Sequence, residues 1–222
     1  MNAVTPRLYS GPLSMFGAKA QIAMHEKGLD FELVMVPFKT SYDPKHPEVL
    51  RINPKRQVPV LIHGDLELFD STQIFEYLED LKPDPALWPR DIKARARARQ
   101  LELKSDEVYF PHIIRLMGLQ RDIDGADAMT AKAGAAAYCR EADTQLADGQ
   151  YLAGDFTFAD IAFYMAQLFG ERLGAPLDDT TPKLLAWRTR LTARASFRAV
   201  VKPMMEFLAA NGRPVPASLA QL

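Results

Sequence analysis

The chain has 222 residues, of which 48% are hydrophobic and 25% charged, and its formal net charge is −1. That length supplies a core for one large or two small domains, and the even charge balance gives no basic surplus for nucleic acid or an anionic membrane. A single cysteine excludes an internal disulfide framework and a paired-cysteine redox centre.

Met1–Ser10 lacks the apolar segment of a secretory signal, and no apolar run reaches membrane-spanning length, so a cytoplasmic protein is expected. Arg7–Ser10 reads as a short strand ended by Gly11-Pro12. Ser14 is placed to cap a helix from Met15 to Lys27, with Gly28 as its natural stop. Phe31–Val36 reads as a second strand and completes a parallel strand–helix–strand unit. Thr40 to Ile52 is polar and proline-punctuated, with room for one short helix. Val58–Ile62 and Leu66–Phe69 read as strands joined by a tight turn at His63-Gly64-Asp65. A helix from Ser71 to Leu81 follows, and Asp70 with Gln73 has capping-box spacing at its start.

Lys82-Pro83-Asp84-Pro85 is the clearest break in the chain. Residues 83–90 are assigned to a linker between one domain over 1–82 and another over 91–222. The second domain reads as all helical. Its helices are expected over Ile92–Leu119, bent near Pro111, then Ala126–Leu146, Thr157–Leu173, Pro182–Ala195 and Phe197–Asn211. Thr157 and Asp160 have the spacing of a capping box, a role in folding and not in chemistry.

Two details set the central hairpin apart. Pro59 opens a strand, where it costs a ladder hydrogen bond; a cis Val58–Pro59 bond would leave the Val58 N–H and C=O facing outward. Ser71 lies in the first turn of the next helix, where free N–H groups make a carboxylate site. Together they offer an extended peptide a backbone edge and a pocket for its carboxylate. The segment Asn53-Pro54 … Gln57-Val58-Pro59-Val60-Leu61 … Leu68-Phe69-Asp70-Ser71 closely resembles the glutathione-binding segment of the soluble glutathione transferases. The resemblance covers essentially the whole chain. It implies the glutathione transferase fold: an α/β, thioredoxin-like N-terminal domain followed by an all-α C-terminal domain that carries a hydrophobic co-substrate pocket. It further implies that the Val58–Pro59 backbone pairs with the cysteinyl part of glutathione and that Asp70 and Ser71 hold its γ-glutamyl end. Many relatives carry Glu where this chain has the shorter Asp70. Lys45 and Gln57 stand where some members contact the glycyl carboxylate, although Lys45 reads equally well as a solvated surface residue.

Ser14 is the leading catalytic candidate. A hydroxyl at a helix N-terminus can hydrogen-bond a thiolate and lower the thiol pKa, with help from the helix dipole. From the residues alone a plain helix cap is the simpler reading. Leu8-Tyr9 … Ser14 followed by a helix is similar to the serine-type, bacterial-like branch of the family, which favours catalysis. Ser10 is the runner-up. Tyr9, the catalyst type of other branches, sits slightly early and reads as packing. Cys139, the one thiol, falls in an Ala-rich helix far from the position a cysteine-type member needs. Tyr109, Phe110, Ile113 and Leu116 are placed on the wall of the co-substrate pocket by the resemblance, although a bundle core would use the same residues.

No ligand pattern for a metal is present, so glutathione as co-substrate is the one small partner expected besides a hydrophobic electrophile. The basic run Arg90–Arg99 fans around a helix without interleaved aromatics, which argues against nucleic-acid binding. The resemblance implies a homodimer. The expected activity is conjugation of glutathione to a hydrophobic electrophile. The alternatives are a non-catalytic binding or regulatory relative, or a glutathione-dependent isomerase, dehalogenase or etherase.

Overall fold

A computed structural model describes residues 4–38, 42–43, 45–146 and 149–219. The chain divides into two compact units, Met1–Pro85 with Ser196–Gly212, and Ala86–Ala195 with Arg213–Leu222.

In the first unit the order is β1 (Arg7–Ser10), α1 (Met15–Glu26), β2 (Glu32–Met35), α2 (Pro47–Ile52), β3 (Val60–His63), β4 (Leu66–Phe69) and α3 (Ser71–Leu81). The four strands form one sheet in the order β2-β1-β3-β4. β1 and β2 are parallel, and β3 runs antiparallel to both β1 and β4. Gly28, at φ +56, ends α1, and Gly64, at φ +64, makes the tight turn between β3 and β4. The pleat sends Tyr9, Val34, Val60 and Phe69 to one face, where Val49 and Ile52 of α2 cover them. α1 and α3 pack together and bury Ala18, Ile22, Ile74, Phe75 and Leu78. Buried Lys27 pairs with Glu79 and donates to the Pro85 carbonyl at 2.7 Å, tying α1 to α3 and to the end of the segment. This is the expected thioredoxin-like arrangement.

The second unit contains α4 (Ile92–Lys104), α5 (Phe110–Gly118), α6 (Ala126–Leu146), α7 (Phe158–Arg172) and α8 (Pro182–Thr192). α7 is its axis, buried at every position from Phe158 to Gly170. Phe163 on α7 packs against Tyr109, Tyr138 and Trp187, with ring centroids 5.2–5.5 Å apart.

Two expectations are amended. The long helix expected over Ile92–Leu119 breaks ahead of the proline, in a π-helical turn over Ser105–Tyr109, and restarts as α5 with Pro111 in its first turn. Pro111 has no N–H for the Glu107 carbonyl and its ring crowds that carbonyl, so the disruption falls on the preceding turn. The helix α9 (Ala195–Ala210), expected in the 91–222 domain, groups from Ser196 onward with the sheet. Ser196 donates to Glu26 on α1, and Phe207 packs edge-on against Phe38 at 5.7 Å.

Candidate active site

The sheet register gathers the site. Tyr9 pairs with Val60, and Val60 with Phe69. Ser10, Pro59 and Asp70 each lie one residue past these pairs, at the same end of the sheet. The β1–α1 loop, the start of β3 and the start of α3 therefore meet at one end of the sheet, about 5 Å apart from strand to strand.

Each piece is shaped locally. Val58–Pro59 is cis, and both residues precede the ladder of β3. Asn53 holds the approach: its Nδ2 donates to the Gln57 carbonyl at 2.6 Å and its Oδ1 accepts from the Lys55 N–H at 2.9 Å. Gln57 is exposed, Val58 half-buried and Pro59 buried. Asp70, in a left-handed backbone at φ 78, caps α3 by accepting the Thr72 and Gln73 N–H groups on Oδ1. Ser71 is buried as the first residue of α3, and its hydroxyl bonds to no other described residue. A carboxylate placed there meets the positive field of the helix end.

Ser14 caps α1, accepting the Gly17 N–H on Oγ at 3.0 Å. It is 9% exposed. The first turn of α1 carries no acidic residue, so nothing there offsets the positive end of the helix. Ser10 is fully buried, and its hydroxyl accepts from Gln21 Nε2 at 2.7 Å. Tyr9 is also buried, its ring 4.9 Å from that of His46. Of the three sequence candidates, only Ser14 has both a helix N-terminus and surface. Lys45 is half-buried, its Nζ 6.0 Å from the centroid of the Tyr42 ring.

The four residues expected to wall the co-substrate pocket lie in the core of the second unit. Tyr109, Ile113 and Leu116 have no exposed surface and Phe110 only 5%. Positions 109, 113 and 116 share the inward stripe of the helix. Burial pushes the Cys139 thiol up to about 12, so it stays protonated at neutral pH. Among the described residues, no group of three or more His, Cys, Asp or Glu is placed to hold a metal ion, and no helix is long and apolar enough to cross a membrane.

Two contributors escaped sequence reasoning. Asn53 was visible only as part of the Asn-Pro dipeptide, with no hint of its hold on Gln57. Tyr42 gave no signal at all, yet its hydroxyl accepts the Leu13 N–H at 2.8 Å.

Residues 8–86 match the glutathione S-transferase N-terminal domain, and residues 103–195 match the glutathione S-transferase C-terminal domain. Glutathione S-transferase 3 of Zea mays is 31% identical over 207 residues, covering 88% of this chain and 92% of the maize protein. Glutathione S-transferase 1 of Dianthus caryophyllus is 45% identical over 91 residues, 40% of each chain. A crystal structure of a glutathione S-transferase from Rhodospirillum rubrum superposes with a TM-score of 0.76 at 28% identity, covering 88% of this chain and 91% of that one. A thioredoxin-like sheet with a cis-proline edge, joined to a helical unit, defines the general class. Within that class, the chain belongs to the glutathione S-transferase family.

Proposed function

We propose that the chain is a serine-type glutathione transferase that activates the thiol of glutathione through Ser14. The Val58 backbone pairs with the extended tripeptide. The Ser71 backbone N–H and hydroxyl receive the γ-glutamyl carboxylate, and Asp70 receives its ammonium through Oδ2, the oxygen not used in capping. Lys45 and Gln57 serve the glycyl carboxylate. Ser14 has one proton and two lone pairs. One lone pair takes the Gly17 N–H, which leaves the O–H to donate to the sulfur. That bond, with the helix dipole, favours the thiolate and lowers the thiol pKa. The thiol proton leaves to solvent. The sulfur lone pair then forms a bond to an electrophilic carbon as the leaving group departs with its electron pair.

The observation that carries the reading is the Ser14 cap at an α1 N-terminus free of acidic residues in its first turn. The protein is further proposed to act in the cytoplasm as a homodimer. Exposed Ile92 and Leu103 on α4 support a subunit contact, and sedimentation at micromolar concentration tests it. The catalytic assignment is tested by following thiolate absorbance of bound glutathione against pH. Ser14→Ala raises the apparent thiol pKa with binding retained; an unchanged pKa refutes the assignment.

A further inference from the structure

Leu13 gives its backbone N–H to a side chain, the Tyr42 hydroxyl, 2.8 Å away and 29 residues further along the chain. The tyrosine ring lies against the same loop. A Cβ built on Gly11 would stand 2.3 Å from Tyr42 Cε1 and 2.8 Å from its hydroxyl oxygen. Gly11 has no left-handed φ. The approach of the ring, and not the backbone, therefore requires a residue without a side chain there. Tyr42 itself holds φ at 66, a region aromatic residues seldom enter and one that persists only when the surroundings fix it. Phe38 packs edge-on against the ring at 4.6 Å, and the ring joins the cluster of Tyr9, Val36, Val49 and Val60.

We propose that Tyr42 is a positioning residue for catalysis: it latches the Gly11–Leu13 segment so that Ser14 presents its hydroxyl to the glutathione sulfur. The inference rests on the Ser14 reading above. The Ser14 N–H donates to the Gly11 carbonyl at 3.1 Å, so Gly11 to Ser14 form one turn. A hydrogen bond at Leu13 and a ring against Gly11 pin that turn at two points. The Ser14 side chain is then set by the helix at one end, through Gly17, and by Tyr42 at the other. Lys45 Nζ lies over the same ring. The contact proposed for the glycyl carboxylate and the hydroxyl proposed for the sulfur thus share one aromatic support.

Tyr42→Phe keeps the ring and removes the acceptor. It is expected to leave the glutathione Kd within about threefold, to raise the bound thiol pKa, and to lower kcat by about tenfold, the worth of one hydrogen bond. Exchange of the Leu13 amide, read by NMR, becomes faster. Gly11→Ala displaces the ring and gives the same signature, but it adds nothing to a Tyr42→Ala variant, where the ring is gone. A purely structural tyrosine would lower Tm without moving the thiol pKa. The latch is overturned if Tyr42→Phe keeps the wild-type Leu13 exchange rate, or keeps the wild-type thiol pKa while Ser14→Ala raises it. If Ser14→Ala itself leaves the thiol pKa unchanged, the Ser14 reading falls, and with it the catalytic role given to Tyr42; Leu13 exchange then decides only whether the tyrosine holds the loop.

Discussion

At the start of α1 the Ser14 hydroxyl accepts the Gly17 N–H, and at the start of α7 the Thr157 hydroxyl accepts the Ala159 N–H at 3.2 Å. The two caps share their chemistry and differ at the third helical position. On α7 that position is Asp160, whose carboxylate returns to the Thr157 N–H at 2.9 Å and to the Thr157 hydroxyl at 3.3 Å, while also receiving the Leu152 N–H and Trp187 Nε1. On α1 it is Gly17, which returns nothing. A cap closed by its own helix is a stability device with its donors used up. A cap left open keeps a hydroxyl proton and an uncompensated dipole for something outside the protein.

Asp160→Ala strikes the closed cap hardest. Four donors, three of them buried, lose their acceptor, which is expected to cost about 4 kcal/mol, or roughly 10 °C in Tm, read by thermal unfolding. The fully buried carboxylate also makes the closed cap sensitive to pH. Burial pushes Asp160 up to about 6, against hydrogen bonds from Leu152, Trp187 and Thr157 that pull it down. The folded state therefore binds this proton more readily than the unfolded chain, whose Asp titrates near about 3.9. The group's contribution is fully present below about pH 4, and about 3 kcal/mol of it is lost as pH rises through about 6. The stability advantage of wild type over Asp160→Asn should shrink over that window and stay flat above it; a gap independent of pH would contradict the assignment.

The open cap should respond in the opposite currency. Ser14→Ala is expected to lower kcat/KM with a nitroaryl halide by about a hundredfold, while removal of the cap costs only about 1 kcal/mol of stability. Equal losses in both would erase the distinction between the two caps. Gly17→Ala is the smallest change. Alanine is the better helix former, yet its Cβ would stand 2.2 Å from Ser10 Oγ and 3.2 Å from Ser14 Oγ. A net destabilisation of about 1–2 kcal/mol is expected from overpacking, measured by urea unfolding. A stabilised variant would show that the space around the open cap is not needed.

What could be read from the sequence was local. Both caps, the Gly64 turn and the Val58-Pro59 edge are written within a few positions of one another, so residue types at fixed spacing were enough. The latch at Tyr42 spans 29 positions and depends on a left-handed tyrosine, for which no short-range pattern exists. Tyr109, Ile113 and Leu116 show another limit. A stripe at helical spacing says that one face is covered, not whether protein or ligand covers it. Pro111 marked a disturbance in the long helix, but its placement one turn earlier follows from the carbonyl the proline crowds, which is not visible in composition. The grouping of α9 with the sheet rests on contacts such as Phe38 with Phe207, which no window along the chain contains.

That grouping bears on biosynthesis. The sheet and its first three helices are translated before Ala86–Ala195, but the helix that completes their unit follows the whole of that segment. On the ribosome, Glu26 and Phe38 must wait for partners far downstream, Ser196, 170 positions beyond Glu26, and Phe207. The thioredoxin-like unit is thus begun before the helical unit and finished only after Ala86–Ala195 has been made. A nascent chain stalled before Ser196 should expose to proteases the surface that α9 covers, and should become resistant when that helix emerges.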